Sequence, residues 1–167
     1  MNAIVCVNSL NGIGFNNTIP WRSKKDMAYF KEKTIGKGNN AVIMGRKTFE
    51  SMGCRPLKKR RNYILSRDTD LAINADVVVE SRMENLIILL NIFDEVFVIG
   101  GNEIYELFRP YICKWYITHI YDYSPCDTFF TIDLSGYIEE EAREETDGNY
   151  ELTFFVLGVG EGEPRFP

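Results

Sequence analysis

The chain has few of the residues that build metal centres and disulfide frameworks. Its 167 residues include four cysteines, Cys6, Cys54, Cys113 and Cys126, and a single histidine, His119. No two cysteines form a C-x-x-C pair, so a Cys/His metal site would need scattered ligands and none is expected. The apolar run Leu86–Leu90 is far shorter than the ~20 residues of a membrane-spanning helix. The opening Met1-Asn2-Ala3 has no basic segment, and the apolar run after it is too short for a secretory signal. These absences predict a cytoplasmic protein with reduced thiols and no membrane partner. Positive charge is also short: 19 Lys and Arg stand against 24 Asp and Glu, a net charge of −5. Nucleic acid is therefore not expected as a partner, because phosphate-backbone binding is driven by a basic surface. A local basic pocket for one phosphorylated ligand remains open. Neither G-x-G-x-x-G nor G-x-x-x-x-G-K-[ST] occurs, and there are no internal repeats or low-complexity tracts.

What is present is ordinary globular material. Apolar residues make up 45% of the chain and aromatics 13%, and the length suits one domain with its own core. Ala3–Val7 reads as a strand buried on both faces. Ser9–Trp21, punctuated by Asn11-Gly12, Gly14 and Asn16-Asn17, reads as a long polar loop, either a solvated connection or a lid. Ser23 is placed to cap a helix running to about Thr34. Asn40–Met44, Arg61–Leu65, Asp76–Val79 and Glu95–Ile99 read as further strands. Helices are expected over Arg46–Ser51, Arg82–Ile92 and Asn102–Phe108, the last stopped by Pro110.

The alternation then changes. Lys114–Tyr121 is a strand and Asp127–Thr131 extended. Asp147-Gly148 turns a hairpin between Glu139–Glu145 and Glu151–Leu157. The expected fold class is α/β: a single domain with a central, mostly parallel twisted sheet, an antiparallel C-terminal edge and flanking helices. It would occupy residues 1–157, with 158–167 as a flexible tail.

Two strands end in glycine and feed a helix, at Met44-Gly45-Arg46-Lys47-Thr48 and Ile99-Gly100-Gly101-Asn102-Glu103. Each is either a tight turn or a phosphate site made of free helix N–H groups and bare backbone. Arg46 and Lys47 sit in a first helical turn, where a helix normally prefers acids; that misplacement points to an anion. Ser66-Arg67 adds a hydroxyl and a guanidinium at the next strand end. In an open α/β sheet such ends form the ligand crevice, and these three suit an elongated, phosphate-bearing ligand such as a dinucleotide.

Asp26 is the other candidate. Ser23-x-x-Asp26 has the form of a capping box, so the carboxylate could simply cap its helix. Alternatively, Asp26 shares a helix face with Phe30, with Met27 one position round and Trp21 before it. A carboxylate buried there would have its pKa raised by desolvation and could hold or relay a proton near neutral pH.

Taken together, Ile13-Gly14…Ile19-Pro20-Trp21, Asp26…Phe30, Val42–Thr48, Arg55-Pro56-Leu57…Arg60…Asn62, Val98–Gly101…Ile104-Tyr105 and Thr118…Asp127-Thr128 resemble dihydrofolate reductase, in order and at family spacings over roughly residues 3–157. The resemblance implies reduction of 7,8-dihydrofolate to tetrahydrofolate with NADPH, in support of one-carbon and thymidylate metabolism. It implies antifolates such as methotrexate as ligands, and a monomer. Asp26, Trp21 and Thr118 would be the catalytic residues. Ile4, Val5, Asp26, Met27, Phe30, Met52, Leu57, Arg60, Ile99 and Thr118 would form the substrate site, with Arg60 on the glutamate α-carboxylate. Cys6, Ile13, Gly14, Ile19, Gly45, Arg46, Lys47, Thr48, Ser51, Leu65, Ser66, Arg67 and Ile99–Tyr105 (Gly100, Gly101, Asn102, Glu103 and Ile104 between them) would contact the cofactor. Arg46, Ser66 and Arg67 would hold its 2′-phosphate, and the glycine pair would be joined by a cis peptide. Asn11–Ile19 would be a lid that Asp127 helps to hold; otherwise Asp127 is a strand-end turn residue. Lys58-Lys59-Arg60-Arg61 reads otherwise as a solvated basic turn.

The sequence departs from the pattern in three places. Lys59 stands where glycine is usual, Cys54 looks inserted, and Phe49 replaces a frequent tryptophan. Two other readings stay open: another NADPH-dependent reductase on this fold, such as a pyrimidine reductase of riboflavin synthesis, and a non-catalytic NADPH-binding module.

Overall fold

A computed structural model describes residues 1–71 and 75–160. Among these residues, eight strands form one sheet in the order β5-β4-β3-β6-β1-β7-β10-β9. The strands are β1 (Asn2–Asn8), β3 (Asn40–Gly45), β4 (Arg61–Leu65), β5 (Val77–Glu80), β6 (Glu95–Val98), β7 (Lys114–Ile120), β9 (Tyr137–Asp147) and β10 (Tyr150–Val159). The helices are α1 (Lys24–Ile35), α2 (Arg46–Ser51), α3 (Glu84–Ile87) and α4 (Asn102–Phe108). From β5 across to β7 every pairing is parallel; β7–β10 and β10–β9 are antiparallel. This is the mostly parallel sheet with an antiparallel C-terminal edge that the pattern predicts.

The central strands carry continuous apolar runs because both of their faces are covered. Ala41, Val42, Ile43 and Met44 of β3 have no exposed surface. Alternation along β1 divides the core in two. Ala3, Val5 and Val7 pack on one face with Val98, Phe108 and Trp115; Ile4 packs on the other with Trp21, Tyr29, Phe49 and Phe154. Fully buried aromatics such as Trp115, Phe49 and Phe108 each stabilise the fold by roughly 1.5–3 kcal/mol relative to exposure. At the outer edge, β9 exposes Glu139, Glu140, Glu141 and Glu144; charge there discourages pairing with another chain.

Four expectations need correction. The stretch Arg82–Ile92 is not one helix but a single turn, α3, followed by a 3-10 turn at Ile88–Asn91. No side chain caps α3, and the β-branched Ile87 and Ile88 sit where the coil tightens. The loop Ser9–Trp21 contains a short strand, β2 (Gly12–Gly14), which pairs antiparallel with β8 (Thr128–Phe129). Regular pairing in the segment Asp127–Thr131 is confined to those two residues, Thr128 and Phe129. Strand β10 continues into the stretch assigned to the tail, because Gly158 and Val159 pair with Ile138 and Tyr137; residues 161–167 lie outside the described residues.

Candidate active site

β1 and β7 are parallel neighbours, with Cys6 directly opposite Thr118. Side chains opposite each other in register project to the same face, and α1 lies against that face. Ser23 caps α1: it is extended, with φ −115 and ψ 121, and its hydroxyl oxygen accepts the Asp26 N–H at 3.1 Å. The same hydroxyl donates to Asp147 Oδ2 at 2.5 Å, and Lys25 N donates to that oxygen at 3.0 Å. Asp147, the last residue of β9, thus anchors the helix start from across the domain.

Capping therefore falls to Ser23 and Asp147. The half-buried Asp26 carboxylate instead has the Thr118 hydroxyl and the Cys6 thiol as its neighbouring donors. Burial pushes Asp26 above the usual carboxylate range, and these two donors pull it part of the way back. Trp21, 6% exposed, packs in the same apolar cluster as Ile4, and Phe30, Met52, Leu57 and Ile99 pack against it half-buried. These residues make one wall around the acid. Met27 does not join them; it is 52% exposed. The Val5 side chain faces the opposite core, so only its backbone can border this site. The Ile4 carbonyl accepts from Tyr105 Oη at 2.7 Å, leaving one of its two lone pairs for a ligand. Ile99 N donates to Ile43 O at 2.9 Å.

At the far end of this wall Arg60 is half-buried. Its Nε donates to Lys58 O at 2.8 Å and a terminal nitrogen to Thr34 Oγ1 at 3.0 Å. Thr34 is buried on α1 and donates to Phe30 O at 2.7 Å, so the guanidinium is tied to the helix that carries Asp26. The next residue, Arg61, is exposed and reaches Ala75 O at 3.5 Å. Lys59 takes φ +66, the left-handed region that glycine enters without cost.

On the strand-end side, α2 and α4 have Gly45 and Gly101 as N-caps, and neither has a side-chain cap. Their first-turn N–H groups are available to an anion. A Cβ on Gly45 would lie 2.9 Å from Ile104 Cγ1, and Gly100 has φ +123 with Tyr105 Oη 3.3 Å from where its Cβ would be. Gly45 N donates to Gly100 O at 2.9 Å, which ties the two strand ends together, and the Gly100–Gly101 peptide is cis. Arg46 and Lys47 are exposed, and Arg46 forms an i,i+4 pair with Glu50 at 3.7 Å. Ser66 Oγ accepts from Asp68 N at 3.1 Å, and Arg67 is exposed. Thr48 Oγ1 would lie 3.6 Å from a Cβ on Gly100, so it borders the glycine pair. Bare backbone, free N–H groups and nearby cations fit a phosphate-bearing dinucleotide.

The other residues expected at this side have varied surroundings. Asn102 uses both ends of its amide on Thr131, at 2.7 and 3.1 Å. Ser51 donates to Thr48 O at 2.6 Å. Glu103 and Ile19 are exposed, whereas Ile13, Leu65 and Ile104 pack against the Trp115 core.

The segment before Trp21 is an ordered flap. Phe15 and Thr18 bond each other reciprocally, at 2.8 and 3.0 Å. Asp127 Oδ2 accepts Asn16 N at 2.9 Å, and Asp127 N donates to Gly14 O at 3.0 Å. Asn8, which the sequence does not mark out, accepts from the N–H groups of Leu10 and Gly12 and donates to Ser124 O. It joins the base of the flap to the segment after β7. Tyr105, expected at the cofactor side, reaches Ile4 O through its hydroxyl, and Asp147, which the sequence does not mark as a site residue, anchors α1.

The fold and site define a class: an α/β reductase-like domain with two uncapped glycine turns at its strand ends and one half-buried carboxylate beside them. A family model described as dihydrofolate reductase matches residues 1–158. The dihydrofolate reductase of Haemophilus influenzae is 36% identical over 158 residues, 92% of this chain and 95% of that one. That of Staphylococcus haemolyticus is 39% identical over 160 residues, 93% of each. A solved Enterococcus faecalis dihydrofolate reductase, complexed with NADP(H) and RAB-propyl, superposes with a TM-score of 0.87 at 29% identity, covering 96% of both chains. The chain belongs to the dihydrofolate reductase family.

Proposed function

We propose that this chain reduces 7,8-dihydrofolate with NADPH and that Asp26 is the ionisable group that holds the pterin. The observation that carries this reading is the half-buried Asp26 carboxylate, raised in pKa by desolvation, with the Thr118 hydroxyl and the Cys6 thiol as the donors that oppose the rise. Two lone-pair positions on the carboxylate remain for the pterin 2-amino group and N3. NADPH, when bound, supplies the hydride that reaches C6.

Asp26 orients the ring and favours the proton that N5 gains, through water positioned by Trp21. Burial around Trp21, Phe30 and Leu57 keeps bulk water out and strengthens these interactions. The carbonyls of Ile4 and Ile99 accept from the 4-amino group of antifolates such as methotrexate. Arg60 pairs with the glutamate α-carboxylate, a geometry that suits a guanidinium fork. Its anchorage to α1 through Thr34, which Arg61 lacks, supports that choice and weighs against a pyrimidine substrate with no glutamate tail. Arg46, Ser66 and Arg67 receive the 2′-phosphate, and Lys47, Thr48 and the Gly100-Gly101 turn face the pyrophosphate. Asp127 holds the flap over the nicotinamide.

No helix among the described residues is long and apolar enough to cross a membrane, and no group of three or more His, Cys, Asp or Glu there could hold a metal ion. With a net charge of −5, the reading is of a cytoplasmic monomer without affinity for nucleic acid. Loss of NADPH absorbance on adding dihydrofolate tests the proposal. The expected result is oxidation that depends on dihydrofolate and stops with methotrexate; no such oxidation at any pH overturns it.

A further inference from the structure

Asn8 is the last residue of β1, where the chain leaves the sheet for the flap. Pairing of β1 with β7 ends there, opposite Ile120. The Asn8 side chain is 1% exposed, and its amide continues what the ladder began. Oδ1 accepts from Leu10 N at 3.0 Å and from Gly12 N at 2.9 Å. Nδ2 donates to Ser124 O at 3.0 Å and faces Asp122 Oδ2 at 3.5 Å and Cys126 Sγ at 3.6 Å. Both acceptor positions and both donors of the amide are thus engaged. The fit around it is close: a Cβ on Gly12 would collide with the Cys126 side chain and lie 3.0 Å from Asn8 Oδ1. Gly12 begins β2, whose last residue, Gly14, accepts from Asp127 N, and Asp127 in turn accepts Asn16 N. We propose that Asn8 is a positioning residue for the hydride step: it pins the root of the flap, as Asp127 holds the tip, and so places the flap over the nicotinamide. This rests on the reading of Asn11–Ile19 as the nicotinamide's cover.

The packing of the flap supports that role. Gly12 and Gly14 are buried and Ile13 half-buried, whereas residues 15–19 are exposed. The half that Asn8 governs is therefore the packed half. Without the amide, Leu10 N, Gly12 N and Ser124 O lose this partner, and a buried backbone group left unpaired favours opening to water. Opening would admit water to the nicotinamide and loosen the cofactor while leaving the Asp26 wall in place. The titratable groups around the amide come from three segments. Cys6 lies two residues back on the same face of β1. His119 of β7 meets Ser9 Oγ at 3.5 Å, and Asp122 and Cys126 lie in the segment after β7. Burial pushes both thiols above their ordinary range and His119 below its own. This leaves Asp122, at 3.5 Å, as the charge that faces Asn8.

The test compares Asn8→Ala with Asn8→Asp. Hydrogen exchange at the Leu10 and Gly12 amides is measured with NADPH bound, beside the single-turnover rate of hydride transfer, Kd for NADPH and KM for dihydrofolate. Asn8→Ala should speed exchange at those two amides and slow hydride transfer, each by about 10-fold or more, the loss of buried hydrogen bonds. Kd for NADPH should rise several-fold and KM for dihydrofolate stay as it is. A merely structural role would lower the melting temperature and leave the kinetic constants alone. Asn8→Asp keeps the Oδ1 acceptor. At low pH its protonated carboxyl also replaces the donor, so hydride transfer should approach the unmodified rate at the same pH. As pH rises, the ionised carboxylate would face Ser124 O and Asp122, and the rate relative to the unmodified protein should fall towards that of the Ala variant. Hydride transfer unchanged in Asn8→Ala, or a relative rate equally low at every pH in Asn8→Asp, overturns the proposal. Failure of the dihydrofolate reading would show differently, as no substrate-dependent NADPH oxidation in the unmodified protein, while amide exchange still decides whether Asn8 pins the flap.

Discussion

On the α1 side, Asp26 is half-buried beside the cluster of Trp21 and Phe30 and raised in pKa chiefly by desolvation, with Thr118 and Cys6 opposing the rise. On the strand-end side, Arg46, Lys47 and Arg67 stand in solvent, and Arg46 is already leaning on Glu50. The first region acts in a low dielectric, where a single charge or hydrogen bond counts for much. The second acts through water, where each cation is worth little and salt screens it. In the proposed reading, the domain separates a few enclosed groups that govern the rate from several exposed ones that govern cofactor binding. Changes on the two sides should therefore fall on different kinetic constants.

The largest effect is expected from Asp26→Asn. It should lower turnover by about 10²- to 10⁴-fold while NADPH affinity, followed by fluorescence titration, stays unchanged. A comparable loss of NADPH affinity would erase the distinction between the two sides. The same variant should unfold at an equal or higher temperature near neutral pH. The Asp26 pKa is raised in the folded chain, so the cost of its charge is absent at low pH and grows as pH rises through the folded pKa. Asn removes that cost.

Next comes Arg60→Ala, which should raise KM for dihydrofolate by about 10- to 100-fold, the loss of a charge-assisted pair, with kcat little affected. Steady-state kinetics of Arg61→Ala sharpen the point: if that change has the larger effect, the glutamate contact belongs one residue later. Arg46→Ala and Arg67→Ala should each raise KM for NADPH only several-fold. The penalty should shrink as salt is added and be missing with NADH. The smallest effect concerns the turn that presents Arg60. Lys59→Gly relieves the φ of +66 and should stabilise the fold by about 1 kcal/mol, measured by denaturant unfolding.

Much of this could be read from the sequence because it is local. Val42-Ile43-Met44 announces a doubly covered strand, and Gly45 followed by Arg46-Lys47 marks a helix start lacking acids. Ser23 announces its own cap. Partners distant in the chain could not be read this way. Asp147 completes the α1 cap across 124 residues, and nothing near Ser23 signals it. The juxtaposition of Cys6 and Thr118 depends on β1 lying beside β7, a pairing that no short pattern encodes. The Asn102 side-chain amide bonds Thr131, on a later segment, at both ends, which nothing near Asn102 signals. The helix expected over Arg82–Ile92 failed for the opposite reason. Its apolar spacing was right for burying Leu86 and Leu89, but it lacked a cap to sustain the coil.

The most direct test is the pH profile of hydride transfer in single turnovers, for the unmodified protein and Asp26→Asn side by side. Turnover of the unmodified protein should be high at low pH and fall as pH rises through the raised pKa of Asp26. The Asn variant should be slow throughout and lack that limb. A variant that keeps the unmodified rate, or shows the same falling limb, would contradict the claim that Asp26 governs the proton.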